Sequence, residues 1–179
     1  MRAQEGNRSS GDTAPTLFRE VQRFRQWFFW IPVLVVTGVI WWQFWEQIIR
    51  QHPQGQQPIP DWAAWVLTIV FGLGFPAFAA IVRLITTVTP DSVMVGLAPF
   101  RPKRIPLSTI ATAMEREYSP MREFGGWGIR TSREGRAYNA HGNMGVQLVL
   151  DDGSRILIGT QHPQELASAL RLGGVRIVR

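Results

Sequence analysis

The chain has 179 residues, a net charge of +6 and no cysteine. The length allows one modest domain beside its apolar segments and not two. The missing cysteines exclude disulfide frameworks, cysteine-ligated zinc, iron–sulfur clusters and thiol catalysis.

The first sixteen residues are polar, contain glycine and serine and show no apolar period, so they are expected to be disordered, with a helix beginning near Leu17. Trp27 to Trp45 follows as nineteen residues whose only strongly polar member is Gln43. At 1.5 Å per residue such a helix covers about 28 Å, close to the hydrocarbon thickness of a bilayer. Pro32 falls in its first two turns, where a missing N–H disrupts least. A signal peptide would have a shorter apolar core and a small-residue cleavage site, which the residues after Trp45 lack.

Trp62 to Val82 is a second uncharged stretch, containing Gly72, Gly74 and Pro76. In lipid that cluster reads as a kink and a close helix–helix contact. Seven of the eight tryptophans lie between Trp27 and Trp65, at the ends of the two runs, as expected for indoles at a membrane interface. Basic residues set the orientation. Arg19, Arg23 and Arg25 precede the first run and Arg83, Arg101, Lys103 and Arg104 follow the second, while the loop 46–61 carries only Arg50. Both termini are therefore expected on the cytoplasmic side of the inner membrane, with 46–61 an exported turn containing Pro53, Pro58 and Pro60. The positive charge then has anionic lipid as its partner, and no nucleic-acid partner is expected.

From Leu84 onward, short alternating runs separated by turn residues predict strands. These are Leu84 to Thr89, Ser92 to Leu97, Lys103 to Ile105, Ala111 to Tyr118, Trp127 to Ser132, Val146 to Leu150 and Arg155 to Gly159, with Ala137 to Asn139 a possible eighth. Asp152-Gly153 supplies the positive φ of a tight hairpin between the last two. Pro163, Glu165, Leu166, Ala169, Leu170 and Leu172 predict an amphipathic helix stopped by Gly173-Gly174.

The blocks Gly125-Gly126-Trp127-Gly128-Ile129-Arg130 and Ile158-Gly159-Thr160-Gln161-His162-Pro163, with Ala137-Tyr138-Asn139 and Gly145-Val146-Gln147-Leu148 between them, resemble the bacterial pleckstrin-homology (PH)-like membrane proteins. The resemblance covers roughly residues 84–172. It implies two transmembrane α-helices followed by a β-rich PH-like barrel capped by a C-terminal α-helix. The expected division is a leader over 1–26 that becomes helical, a two-helix anchor over 27–86, a PH-like domain over 87–172 and a tail over 173–179. It implies no particular activity, since a shared fold does not carry one.

Two groups of site residues stand out. Arg83, Arg101, Lys103 and Arg104 form a basic, membrane-proximal set suited to lipid headgroups or to fixing topology. Phosphoinositide-binding PH domains place basic residues across the first two strands, whereas Thr89-Pro90-Asp91 has none. The second group, Trp127, Arg130, Tyr138, Asn139, His141 and Asn143, is read either as a partner groove or as a solvated loop beside a packed indole. Gly125 to Gly128 lacks the lysine and hydroxyl of a P-loop. Asp151, Asp152 and Ser154 belong to a turn and do not suggest a hydrolase. His52 is expected across the membrane from His141 and His162, so no three-histidine metal site forms, and no cofactor is expected. Gln43, Thr37 and Thr68 alone give little support to transport. The reading is a non-enzymatic, membrane-anchored interaction module with a protein partner or a second copy. The alternative is a sensor of anionic lipid or envelope state acting through the basic loops.

Overall fold

The computed structural model describes residues 15–50 and 59–178, so the leader before residue 15, His52, Pro53 and Pro58 lie outside the described residues. The first element differs from expectation. Residues Phe18–Arg23 form a strand, β1, where a helix was expected from Leu17. Phe18, Glu20 and Gln22 face inward while Arg19, Val21 and Arg23 face out. This is a two-residue period, but two of its three inward positions are polar, so no apolar alternation announces it.

Helices α1 (Trp27–Ile49) and α2 (Asp61–Ile81) are long and apolar enough to cross a membrane. Their outward surfaces carry exposed Trp27, Leu34, Trp42, Trp62 and Ile69, side chains that water solvates poorly. The two helices pack through a small-residue contact. The Trp41 Nε1–H donates to the Gly72 carbonyl at 3.1 Å, and a Cβ on Gly72 would sit 3.1 Å from that same nitrogen. Phe44 and Trp65 meet edge-on at 4.8 Å further along. Pro76 follows a widened, π-type turn over Thr68–Gly74, which accommodates the missing N–H.

Strand β2 (Arg83–Val88) begins directly after α2 and pairs antiparallel with β1, Phe18 opposite Val88 and Arg23 opposite Arg83. The two helices are therefore an insertion between neighbouring paired strands. The β domain begins before the helices as well as after them, and a boundary at residue 87 does not describe it. Strands β3 (Ser92–Ala98) and β4 (Lys103–Pro106) complete a first sheet in the order β1-β2-β3-β4.

A short 3-10 turn leads to β5 (Ile110–Glu117), then helix α3 (Pro120–Phe124), the hairpin β6 (Gly128–Ser132) and β7 (Gly135–Asn139), then β8 (Met144–Leu150) and β9 (Arg155–Gly159). Helix α4 (Pro163–Leu172) ends before Gly173 as expected, and β10 (Ile177–Val178) follows. The residues read as a tail thus return to the domain: Val175 is buried and β10 pairs parallel with β5. The second sheet runs β10-β5-β8-β9-β7-β6, with β7 and β9 parallel.

The expected barrel does not close. Strand β4 pairs only with β3 and β6 only with β7. The β6–β7 hairpin docks onto β9 and extends the second sheet, while prolines at positions 102 and 106 confine β4 to four residues. Between the sheets lies one apolar core, containing Leu84, Val93, Val95, Val146, Leu148 and Ile158, with Leu166 and Leu170 of α4 packed into it. A smaller cluster of Tyr118, Phe124, Ala137 and Leu157 involves α3.

Candidate functional site

The basic run after α2 does not act as one patch. Neighbouring strand residues point to opposite faces. Arg104 accordingly turns toward the β2–β3 turn, where its Nε–H donates to the Ser92 hydroxyl at 3.0 Å. Lys103 instead lines a cleft of about 540 Å³ with Thr131, Arg133, Glu134, Arg136 and Arg155. Arg83 opens β2 at the helix side of the domain, and Arg101 is exposed in the bend between β3 and β4.

The cleft lies where the start of β4 meets the end of β6, the β6–β7 turn and the β8–β9 turn. Its cations outnumber its single carboxylate. Glu134 engages Arg155 at 3.7 Å, with both side chains more than half exposed, and leaves Lys103, Arg133 and Arg136 without an ion pair among the described residues. Gly135 sits at φ +112°, and a Cβ there would lie 2.2 Å from the Arg155 carbonyl oxygen, so only glycine lets the two turns meet. Opposite Glu134, the turn Asp151–Ser154 is structural as expected: Ser154 N–H donates to Asp152 Oδ1 at 2.8 Å. The bonds from Ser154 hold the Asp152 carboxyl below the usual carboxylate range.

Of the second predicted group, Arg130 and Trp127 are in contact, but the six residues do not line one groove. Tyr138 and Asn139 are only 3% and 0% exposed, because β7 is an interior strand between β6 and β9. Arg130 is exposed and its Nε–H donates to the Trp127 carbonyl at 3.1 Å. His141 is exposed, its carbonyl accepting from Gln161 Nε2 at 3.0 Å. Asn143 reaches Glu117. Trp127 is half-buried with its ring 4.9 Å from Phe28 of α1, so the indole joins the β domain to the first helix. Gly125, Gly126 and Gly128 all have positive φ and give the chain its path around that ring.

One polar cluster escapes sequence reasoning. Glu20, on β1, accepts from the Thr160 hydroxyl at 2.5 Å and from the Gln161 N–H at 2.9 Å. Gln22 donates to the Gly159 carbonyl at 2.8 Å, and Gln26 donates to that of Ala140. The leader is thereby fastened to the Ile158-Gly159-Thr160-Gln161 block. The polar alternation of Glu20 and Gln22 was the available signal.

Beside this block the Tyr118 hydroxyl is buried without a hydrogen bond of good geometry, although Asn139 stands close to it. Burial pushes its pKa up from 10.0. A raised folded-state pKa contributes stability that is intact below pH 10 and is lost as pH rises through the folded value. Tyr118→Phe should therefore flatten the loss of stability between neutral pH and pH 11, measured by thermal unfolding at each pH. An alkaline loss equal to that of the parent protein would refute this assignment.

These features define a class of protein: a two-sheet β domain whose first two paired strands are joined by two helices of membrane-crossing length. The chain belongs to the family described as a family of unknown function (DUF6141), whose model matches residues 10–175 and so takes in the leader strand, both helices and both sheets except β10. No curated protein matches it.

Proposed function

We propose that the protein is a membrane-anchored, non-enzymatic interaction module, related to PH-like domains, that holds its β domain at the cytoplasmic face of the inner membrane for a protein partner. Arginines before α1 and after α2, against Arg50 alone near the other helix ends, support that orientation. The sheet pair with a packed C-terminal helix supports the PH-like kinship, although the open sheets and the added β6–β7 hairpin depart from it.

The observation that carries the reading is the cationic cleft beside the outer edge of β6. An extended partner segment can add to that edge through backbone hydrogen bonds, and the unpaired Lys103, Arg133 and Arg136 favour one rich in Asp and Glu. Distance argues against lipid as the occupant. Ser132 lies four residues along β6 from Gly128, about 13 Å at strand spacing. Exposed charges are largely screened beyond about 8 Å at physiological salt.

The test is capture of the full chain from native membranes followed by cross-linking, comparing the parent with Arg133→Glu/Arg136→Glu. A partner that cross-links through an acidic segment to Gly128–Ser132, and binds at least about tenfold more weakly to the variant, supports the module. A partner bound equally by both, or cross-linked elsewhere, removes the cleft from the account. Selective binding to anionic vesicles with no such partner would favour the alternative, a sensor of anionic lipid using Arg83 and Arg101.

A further inference from the structure

We infer that Arg23, Arg25 and Arg83 form a site for the phosphate of an anionic phospholipid at the point where both helices join the first sheet. The inference rests on the membrane-anchored reading and not on the partner cleft.

Register supplies the first observation. Arg23 and Arg83 are directly opposite each other at the last rung of the β1–β2 ladder. Side chains so placed share a face with their Cβ atoms about 5 Å apart, where like charges destabilise the pair. No acidic group offsets this: the ion pairs among the described residues belong to Arg50, Arg116, Arg155 and His162. Arg25 adds a third exposed cation two residues beyond Arg23.

Shape supplies the second. A groove of about 400 Å³ opens beside this rung, lined by Arg23, Phe24, Arg25, Trp30, Ala79, Ala80 and Val82, with Arg83 adjoining it across the ladder from Arg23 and not in its wall. It has two chemistries. Its mouth is guanidinium, which pairs with phosphate oxygens through two parallel N–H bonds. Its wall is alanine and indole, and Trp30 has already committed its Nε1–H to the Phe24 carbonyl at 3.0 Å, so the ring offers surface and not a donor. Ala79, Ala80 and Val82 complete that apolar wall beside the indole. A free phosphate would engage the arginines and leave the apolar wall uncovered, whereas a diacyl phosphate covers both. An anionic lipid also retains net charge to offset the arginines, which a zwitterionic one does not.

The full chain in neutral detergent is titrated with short-chain phosphatidylglycerol, phosphatidylcholine or inorganic phosphate. Retained lipid is counted by native mass spectrometry, and the thermal midpoint is followed in parallel. One phosphatidylglycerol per chain is expected, with a midpoint about tenfold below that of phosphatidylcholine, and no response to phosphate at equal concentration. Arg23→Lys/Arg25→Lys/Arg83→Lys keeps the charge that orients the helices but loses the paired geometry, and should weaken the selectivity several-fold. Arg23→Gln/Arg25→Gln/Arg83→Gln should abolish it, while Arg133→Gln/Arg136→Gln should leave it intact. Equal retention of both lipids, saturation by phosphate alone, or unchanged selectivity in the lysine variant overturns the site. Flotation of the full chain with neutral vesicles reports on anchoring separately: a chain that fails to float refutes the anchored reading itself.

Discussion

Replacing Glu20 with alanine is expected to lower the stability of the β domain by about 3 kcal/mol, because the buried Thr160 hydroxyl and the part-buried Gln161 N–H lose a charged acceptor at once. Glu20 is 9% exposed, and its two carboxyl oxygens take the Thr160 hydroxyl and the Gln161 N–H. Alanine leaves the Thr160 hydroxyl buried without its acceptor, while the Gln161 N–H loses its partner at an exposed residue. For a domain of this size the loss corresponds to a fall in thermal midpoint of about 10 °C. Glu20→Gln should cost less, since its carbonyl oxygen can still accept from one donor while its amide faces the other. Amide exchange locates the effect: protection should fall first in β1 and along β2, whose outer edge β1 covers. Unchanged β1 protection in Glu20→Ala, or a stability loss under about 1 kcal/mol, would show that the leader strand is not held through this side chain.

Gly135→Ala should be comparably damaging for a different reason. The added Cβ would lie 2.2 Å from the Arg155 carbonyl oxygen, a backbone atom that no side-chain rotation can move. Relief requires β7 to shift away from β9, which breaks the parallel pairing of Arg136 with Ile156. We expect a cost of about 3 kcal/mol, combining overpacking with a left-handed backbone unsuited to alanine. Gly153 makes a direct control. Its φ is +79°, yet a Cβ there meets nothing within 4 Å, so Gly153→Ala should cost only about 1 kcal/mol. Moving β7 also displaces Arg133 and Arg136, so Gly135→Ala should lose partner binding while Gly153→Ala keeps it. Equal thermal penalties for the two variants would rule out the collision as the cause.

Strands β2 to β5, β8 and β9 were legible because their inward positions are apolar and their turns carry the expected residues, as in Asp152-Gly153, whereas β6 buries no apolar side chain and β7 was only a possible strand. Helix α4 was legible from its proline start, its apolar face and its glycine stop. Strand β1 was not, since Glu20 and Gln22 occupy inward positions and their partners lie about 140 residues away in sequence. Strand β10 has two residues and α3 five, too few to show a period. Barrel closure was misjudged because element order does not show that the β6–β7 hairpin adds to β9. The candidate site was less legible still. Adjacency in sequence grouped Lys103 with Arg104, which the strand sends to opposite faces, while Arg133, Arg136 and Arg155 reach the cleft from separate turns. Tyr138 and Asn139 look exposed beside a polar loop, and only the position of β7 inside its sheet buries them.

The insertion of both helices between β1 and β2 makes the order of synthesis matter. Strand β1 leaves the ribosome first, but its partner strand is not made until the whole helical hairpin has emerged. Six cross-strand pairs then form only if both helices have returned to the same side, because α2 ends at Ile81 and β2 starts at Arg83 with no slack between them. If the two helices cross a bilayer, as proposed above, a chain with one of them left out would hold its first sheet open. On the membrane-anchored reading proposed above, completion of the first sheet would therefore report that both helices had inserted.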